Sequence, residues 1–68
     1  MFNYKPLLIQ LIQKDMNKTE LRLKTGISSA TLAKISKNKY ISMEALDKIC
    51  KVLECKIEDV IEYQSDLK

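Results

Sequence analysis

The sequence predicts an all-α domain, a compact bundle of five short helices. Of its 68 residues, 46% are apolar and 31% are charged, which is the composition of a folded globular chain. Apolar residues recur at helical spacing, and no stretch alternates for long enough to predict a strand. Because the chain is too short to divide, we expect one domain over residues 1–63, followed by a short C-terminal tail over 64–68.

Five helix starts share the pattern of a hydrophobic staple, in which the apolar residue before the N-cap packs on the fourth helical residue. The staples begin at Phe2, Met16, Ile27, Ile41 and Cys55. The first four have Asn or Ser as the cap, whose side-chain oxygen accepts from an unpaired first-turn amide. Glu20 adds a capping box to Asn17. The fifth start has only Lys56, a poor cap. The predicted helices span 3–14, 17–25, 28–37, 42–54 and 56–63.

The ends and inner faces of these helices also have local reasons. Pro6 falls in the first turn of the first helix, where its missing N–H would have no intrahelical acceptor. Gly26 and Asn38 follow the second and third helices, and both residue types tolerate the left-handed conformation that ends a helix. The apolar positions expected to build the core are Leu7, Leu8, Leu11, Ile12, Leu21, Ile27, Leu32, Ile35, Leu46, Ile49, Cys50, Leu53, Val60 and Ile61.

The composition leaves little material for catalysis. The chain has no histidine and only two cysteines, Cys50 and Cys55, so it cannot form an ordinary four-ligand zinc site. We expect both thiols to be buried as small apolar groups. A single glycine excludes a glycine-rich phosphate loop. The sequence therefore predicts no enzyme, no cofactor and no metal. It also lacks a membrane-spanning run and a signal-peptide pattern, which predicts a cytoplasmic protein.

Charge is divided unevenly along the chain. Residues 1–40 carry eight basic and two acidic side chains, a net charge of +6, whereas residues 41–68 carry four basic and seven acidic ones, a net charge of −3. This polarity indicates that one side of the molecule binds a polyanion. A solvated lysine-rich surface is the alternative, and charge alone does not decide between the two.

The second and third helices form the element that decides between these interpretations. Only Gly26 and Ile27 separate the second helix from the Ser28 cap of the third. Such a short connection requires a sharp crossing, with Ile27 turned inward. A short helix, a tight glycine turn and a second short helix describe a helix-turn-helix, whose second helix enters the major groove of DNA.

Residues 17–35 resemble the helix-turn-helix of the Cro/phage-repressor (lambda-repressor-like) family. Five apolar and glycine positions match its pattern, and residues 41–53 and 57–63 are similar to its fourth and fifth helices, so that the resemblance covers about residues 3–63. The matching positions are Leu21, Gly26, Ile27, Leu32 and Ile35. The resemblance implies a sequence-specific, double-stranded DNA-binding transcriptional regulator, often dimeric on a near-palindromic operator.

The resemblance also assigns roles to single residues. On the third helix it implies base contacts by Ser29, Ala30, Thr31 and Lys34. At the two caps, on the second helix and in the loop after the third, it implies phosphate contacts by Asn17, Lys18, Ser28, Lys37, Asn38 and Lys39. For a homodimer, the acidic C-terminal part offers Ile61 and Tyr63 as the face.

The sequence departs from the family pattern in three ways. Arg22 replaces a small residue where the two helices cross. Either its guanidinium contacts DNA, or its aliphatic stem only covers the helix crossing. Asn38 stands where glycine is usual. The residues on the groove side of the third helix are small, which predicts that DNA shape contributes to sequence preference.

Two other functions compete with this one. The same bundle could be a protein-interaction module, antitoxin-like or binding a regulatory partner, or it could bind RNA. A DNA-binding protein loses affinity steeply with salt, an interaction module does not, and an RNA-binding protein prefers single strands or A-form ligands.

Overall fold

The computed structural model describes residues 1–65, so Asp66, Leu67 and Lys68 of the predicted tail lie outside the described residues. The described residues form four α-helices: α1 (Lys5–Gln13), α2 (Lys18–Thr25), α3 (Ser29–Ser36) and α4 (Met43–Leu53). A 3-10 turn (Ile57–Asp59) follows α4. Two short strands, β1 (Phe2–Asn3) and β2 (Glu62–Tyr63), pair antiparallel and join the two ends of the described chain.

The caps predicted for the three central helices are confirmed. The Asn17 side chain accepts a hydrogen bond from the Glu20 amide at 2.8 Å, and Glu20 Oε1 accepts from the Asn17 amide at 3.3 Å, which completes the capping box. The hydroxyls of Ser28 and Ser42 each accept from the amide three residues later at 3.1 Å. These bonds satisfy first-turn amides that have no intrahelical partner.

The N-cap predicted for the first helix, Asn3, is wrong by one residue. Asn3 lies in β1 and Tyr4 is the N-cap of α1, with Pro6 in the first turn as expected. The Asn3 side chain is buried, accepts from the Lys5 amide at 3.0 Å and donates to Gln64 Oε1 at 3.1 Å. The Asn3 side chain therefore joins the strand pair to α1 instead of capping the helix. Its bond to Gln64 holds the first residue of the predicted tail against the fold.

The predicted fifth helix over 56–63 is replaced by the 3-10 turn and β2. Lys56 offers no side-chain acceptor, and its own amide is satisfied by Asp59 Oδ2 at 3.1 Å. The backbone of Glu62 and Tyr63 pairs with β1 instead of continuing a helix. The fold is mostly helical, with one two-residue strand pair, where we expected it to be entirely helical.

The core lies between the helices and the 3-10 turn. Leu7, Leu21, Ile49 and Val60 are its largest fully buried side chains. Leu8 and Ile12 were expected in the core but lie exposed. Each follows a buried residue of α1, Leu7 or Leu11, and one step of about 100° along a helix turns a side chain away from the face of its neighbour.

The two thiols differ from their predicted state. Cys50 and Cys55 are free and only half-buried, at the border of the core. Cys50 lies on α4, and Cys55 follows Glu54, which ends α4 in a left-handed conformation with φ of +51°. Within residues 1–65, no helix has the length and apolar character to cross a membrane.

Candidate nucleic-acid interface

The turn between α2 and α3 has the geometry predicted from its sequence. Gly26 adopts a left-handed conformation with φ of +76°, and its amide donates to the Arg22 carbonyl at 2.9 Å, which closes α2. Ile27 is only 5% exposed and packs in the core. Because Ile27 anchors the turn in the core, the orientation of α3 relative to α2 is fixed.

Thr25 reinforces this turn, a role that the sequence analysis did not assign. It is buried, and its hydroxyl donates to the Leu21 carbonyl at 2.7 Å. The same oxygen accepts from the Ile27 amide at 3.4 Å. One side chain thus bridges the last turn of α2 and the link to α3. A threonine just before the glycine is the sequence feature that could have revealed it.

The outer edge of α3 faces solvent. Ile35 is buried on the inner side of the helix, whereas Ser29, Ala30 and Lys34 are exposed. Thr31 is half-buried, and its hydroxyl lies 3.0 Å from the Ser28 hydroxyl that caps the helix. Three of the four residues predicted to contact bases therefore share an open edge, and the fourth is partly engaged in the cap.

A contact between side chains joins the start of α2 to the end of α3. The Lys18 ammonium donates to the Ser36 hydroxyl at 3.0 Å, and both residues are exposed. This contact brings Lys18, a predicted phosphate contact, to the end of α3, where Lys37 follows. Ser36 was not among the predicted site residues, because nothing in the sequence indicates that these two helix ends meet.

The loop after α3 is ordered by its own hydrogen bonds. Asn38 has φ of +55°, as its position after the helix predicts. The Lys39 amide donates to the Lys34 carbonyl at 2.8 Å, and the Asn38 amide donates to the Ile35 carbonyl at 3.2 Å. Lys37 and Lys39 are both exposed, so their ammonium groups are available beside the open edge of α3.

Within residues 1–65, no carboxylate lies close enough to neutralise the lysines of this surface. Among residues 1–65 the ion pair within 4.0 Å is Lys48 with Glu44 on α4, at 3.6 Å, well away in sequence from the turn. Lys18, Lys34, Lys37 and Lys39 have no such partner in that part of the chain. We call these four residues the basic face. Their uncompensated charge favours binding of a polyanion. No cluster of three potential metal ligands occurs among the described residues.

A second exposed surface is apolar. Tyr63, a predicted dimer residue, is exposed and packs edge-on against Phe2, with ring centroids 5.4 Å apart, and Phe2 packs in the same way against Tyr40 at 6.3 Å. Ile61, the other predicted dimer residue, is half-buried and lines a shallow depression with Phe2, Tyr40 and Met43. We call these five residues the apolar face. Phe2, Tyr40 and Met43 were not predicted, because β1–β2 pairing brings Phe2 to Tyr63 and no local sequence pattern indicates that Tyr40 and Met43 lie beside them.

Comparison with known proteins identifies the family. A model of the Cro/C1-type helix-turn-helix DNA-binding domain matches residues 7–66. The chain is similar to YozG of Bacillus subtilis (strain 168), described as an HTH-type transcriptional regulator, with 42% identity over 60 residues that cover 85% of this chain and 71% of that protein. It is also similar to the crystal structure of the transcriptional regulator VanUg, with a TM-score of 0.92, 40% identity, and coverage of 96% of this chain and 87% of that one. On this sequence match, and with the α2–turn–α3 geometry described above, the chain belongs to the Cro/C1-type helix-turn-helix DNA-binding domain family.

Proposed function

We propose that this chain is a transcriptional regulator that binds double-stranded DNA in a sequence-specific way, with α3 in the major groove. The observation that carries the proposal is the exposed edge of Ser29, Ala30 and Lys34 on a helix whose opposite side is anchored by Ile35. A helix with one buried face and one open edge of this kind fits the width of the major groove. The YozG and VanUg relatives, both named as transcriptional regulators, support the same class.

The base contacts follow from the chemistry of the exposed edge. Lys34 can donate to guanine O6 and N7, Ser29 can hydrogen-bond with several bases, and the Ala30 methyl can contact a thymine methyl. Thr31 contributes less, because its hydroxyl is already within hydrogen-bond distance of Ser28. Only one long side chain is available for direct contacts, so the shape and flexibility of the DNA also determine the preferred sequence.

The phosphate contacts supply most of the affinity. Lys18, Lys37 and Lys39 flank the α3 edge as exposed ammonium groups. The amides near the caps Asn17 and Ser28 and the side chain of Asn38 add neutral donors. Three lysine–phosphate contacts per protomer give a slope of about −2.7 for the logarithm of affinity against the logarithm of salt concentration.

Selection from a random duplex library tests this function. The wild-type protein should enrich one motif, and Lys34→Ala should relax the preference at one base-pair position. Lys51→Ala is the matched control, because Lys51 is an exposed lysine on α4, outside the basic face. Failure of the wild-type protein to enrich any duplex at low salt would contradict the proposal.

We also propose a homodimer formed through the apolar face. Exposed Phe2, Tyr40, Met43 and Tyr63 side chains in one patch are costly in water, and a second copy would cover them. On a near-palindromic site, the two α3 helices of such a dimer must lie on one side of the DNA, about 34 Å apart. The proposed DNA-binding function also implies a cytoplasmic location, because the protein must have access to the DNA.

Sedimentation of Met43→Glu tests the dimer. Met43 is 77% exposed at the first position of α4, where a negative charge is favourable, so the variant should fold and become monomeric. Ile12→Glu is the matched control, since Ile12 is 79% exposed but lies outside the apolar face. A monomeric wild-type protein at high concentration, or dissociation by Ile12→Glu alone, would contradict this dimer.

The apolar face also supports one competing function, a module that binds a regulatory partner or toxin. In that case binding would depend little on salt, and the chemical shifts that change would belong to the apolar face instead of the α3 edge. RNA binding would instead show a preference for single strands or A-form ligands over duplex DNA.

A further inference from the structure

We propose that Tyr4 is a positioning residue for the loop over residues 37–39, and that it acts on DNA affinity through the lysines of this loop. Tyr4 lies between β1 and α1, far from α3 in sequence, and nothing in the helix-turn-helix pattern assigns it a role. The inference rests on the proposed DNA-binding function, since it concerns how the basic face is held in place.

Tyr4 contacts the loop at two points. Its phenol donates to the Lys39 carbonyl at 2.6 Å, and its backbone amide donates to Asn38 Oδ1 at 3.3 Å. The Tyr4 side chain is only 3% exposed and belongs to the core. A buried group with fixed surroundings thus determines the position of two consecutive loop residues.

The opposite side of the loop is held by α3. The Lys39 amide donates to the Lys34 carbonyl at 2.8 Å, so the backbone of Lys39 is bonded through both its amide and its carbonyl. Asn38 adopts a left-handed conformation, which a non-glycine residue keeps only where its surroundings favour it. The hydrogen bond from the Tyr4 amide to Asn38 Oδ1 is one interaction that favours this conformation.

This double attachment matters because surface loops are otherwise mobile. Lys37 and Lys39 carry exposed ammonium groups without a carboxylate partner within residues 1–65. A lysine whose backbone is already fixed loses less conformational freedom on binding a phosphate than one on a free loop. The core residue Tyr4 therefore raises DNA affinity without contacting DNA.

The test is a double-mutant cycle on affinity for a duplex recovered by the library selection. Tyr4→Phe keeps the buried ring and removes the hydroxyl, and it should weaken binding about two- to fivefold, because the loop must then be ordered on binding and one net hydrogen bond sets the upper limit of that cost. In a Lys39→Ala background the same change should cost less than twofold, because the phenol bonds to the backbone of Lys39 and the ammonium group that this bond positions is absent. Ile49→Val is the matched control: it lowers stability by a similar amount at a fully buried site of α4, outside the loop and both faces, and should leave affinity unchanged.

Asn38→Gly keeps the cycle informative if Tyr4→Phe lowers stability too far. Glycine adopts φ of +55° without strain, so this variant should fold while losing the acceptor for the Tyr4 amide. Because the Asn38 side chain is itself a proposed phosphate contact, hydrogen exchange is the measurement: exchange at the Lys39 amide should become faster while exchange at Leu21 stays slow, and an unchanged rate at Lys39 would overturn the positioning role.

The outcomes separate the inference from the function on which it rests. Equal losses from Tyr4→Phe in the wild-type and Lys39→Ala backgrounds, or no loss in either, would overturn the positioning role while DNA binding stands. If the wild-type protein binds no duplex at low salt, the proposed function fails and this inference fails with it.

Discussion

The substitution Gly26→Ala tests the turn on which the interface depends. Gly26 has φ of +76°, and a Cβ added there would meet no atom within 4 Å. The cost is therefore conformational rather than steric. Holding an L-residue in the left-handed region costs about 1–2 kcal/mol, and the stiffer unfolded chain offsets about 0.4–1 kcal/mol of this. We expect a net loss of about 1 kcal/mol, which lowers the Tm of so small a domain by about 4–8 °C.

Urea denaturation followed by circular dichroism measures this loss, with Glu54→Gly as the matched control. Glu54 is an exposed residue with φ of +51° at the end of α4. Glycine at this position removes the same kind of conformational cost that Gly26→Ala adds. Glu54→Gly should gain about 1 kcal/mol. An unchanged stability of Gly26→Ala would show that the turn does not need a left-handed residue. A loss above about 3 kcal/mol would reveal a steric conflict that this geometry excludes.

Three further predictions concern stability. Asn17→Ala removes the capping box of α2 and should cost about 1 kcal/mol in urea denaturation, whereas Asn17→Ser should cost little. Leu21→Ala empties a fully buried site and should cost about 3–5 kcal/mol, enough to unfold much of the protein by circular dichroism at 25 °C; a cost below 1 kcal/mol would contradict the core described here. Burial raises the pKa of the Tyr4 phenol above 10.0 and of the Cys55 thiol above 9.0, so the unfolded chain loses these protons first. The free energy of unfolding should be constant below pH 9 and decrease as the pH rises further. Cys55→Ser should remove the part of this decrease that begins at the lowest pH, because it removes the thiol.

Local rules account for the elements that were predicted correctly. Asn17, Ser28 and Ser42 begin helices because each satisfies an amide within its own first turn, and Gly26 ends α2 because of its own φ. Such interactions span three or four residues, so the sequence pattern contains them completely. The predicted turn, its inward Ile27 and the family all follow from this local information.

Long-range pairing explains what the sequence analysis missed. The start of α1 and the replacement of the fifth helix both depend on β1 meeting β2 across about 60 residues, with Phe2 opposite Tyr63. The same pairing brings Phe2 to Tyr63 in the apolar face, and the contact of Tyr4 with Lys39 likewise spans 35 residues. No pattern within a window of one helix indicates which distant segments pair, so these features required the structure.

The salt dependence of duplex binding tests the central claim most directly. For the duplex recovered by selection, three lysine–phosphate contacts per protomer predict an affinity loss between 50 and 200 mM salt of about 40-fold for one bound protomer and about 1,800-fold for the proposed dimer. Lys18→Ala should reduce the slope by about one for each bound protomer, and Lys51→Ala, outside the basic face, should leave it unchanged. A flat salt dependence, or equal slopes for the wild-type and Lys18→Ala proteins, would contradict DNA binding through the α3 edge and its flanking lysines.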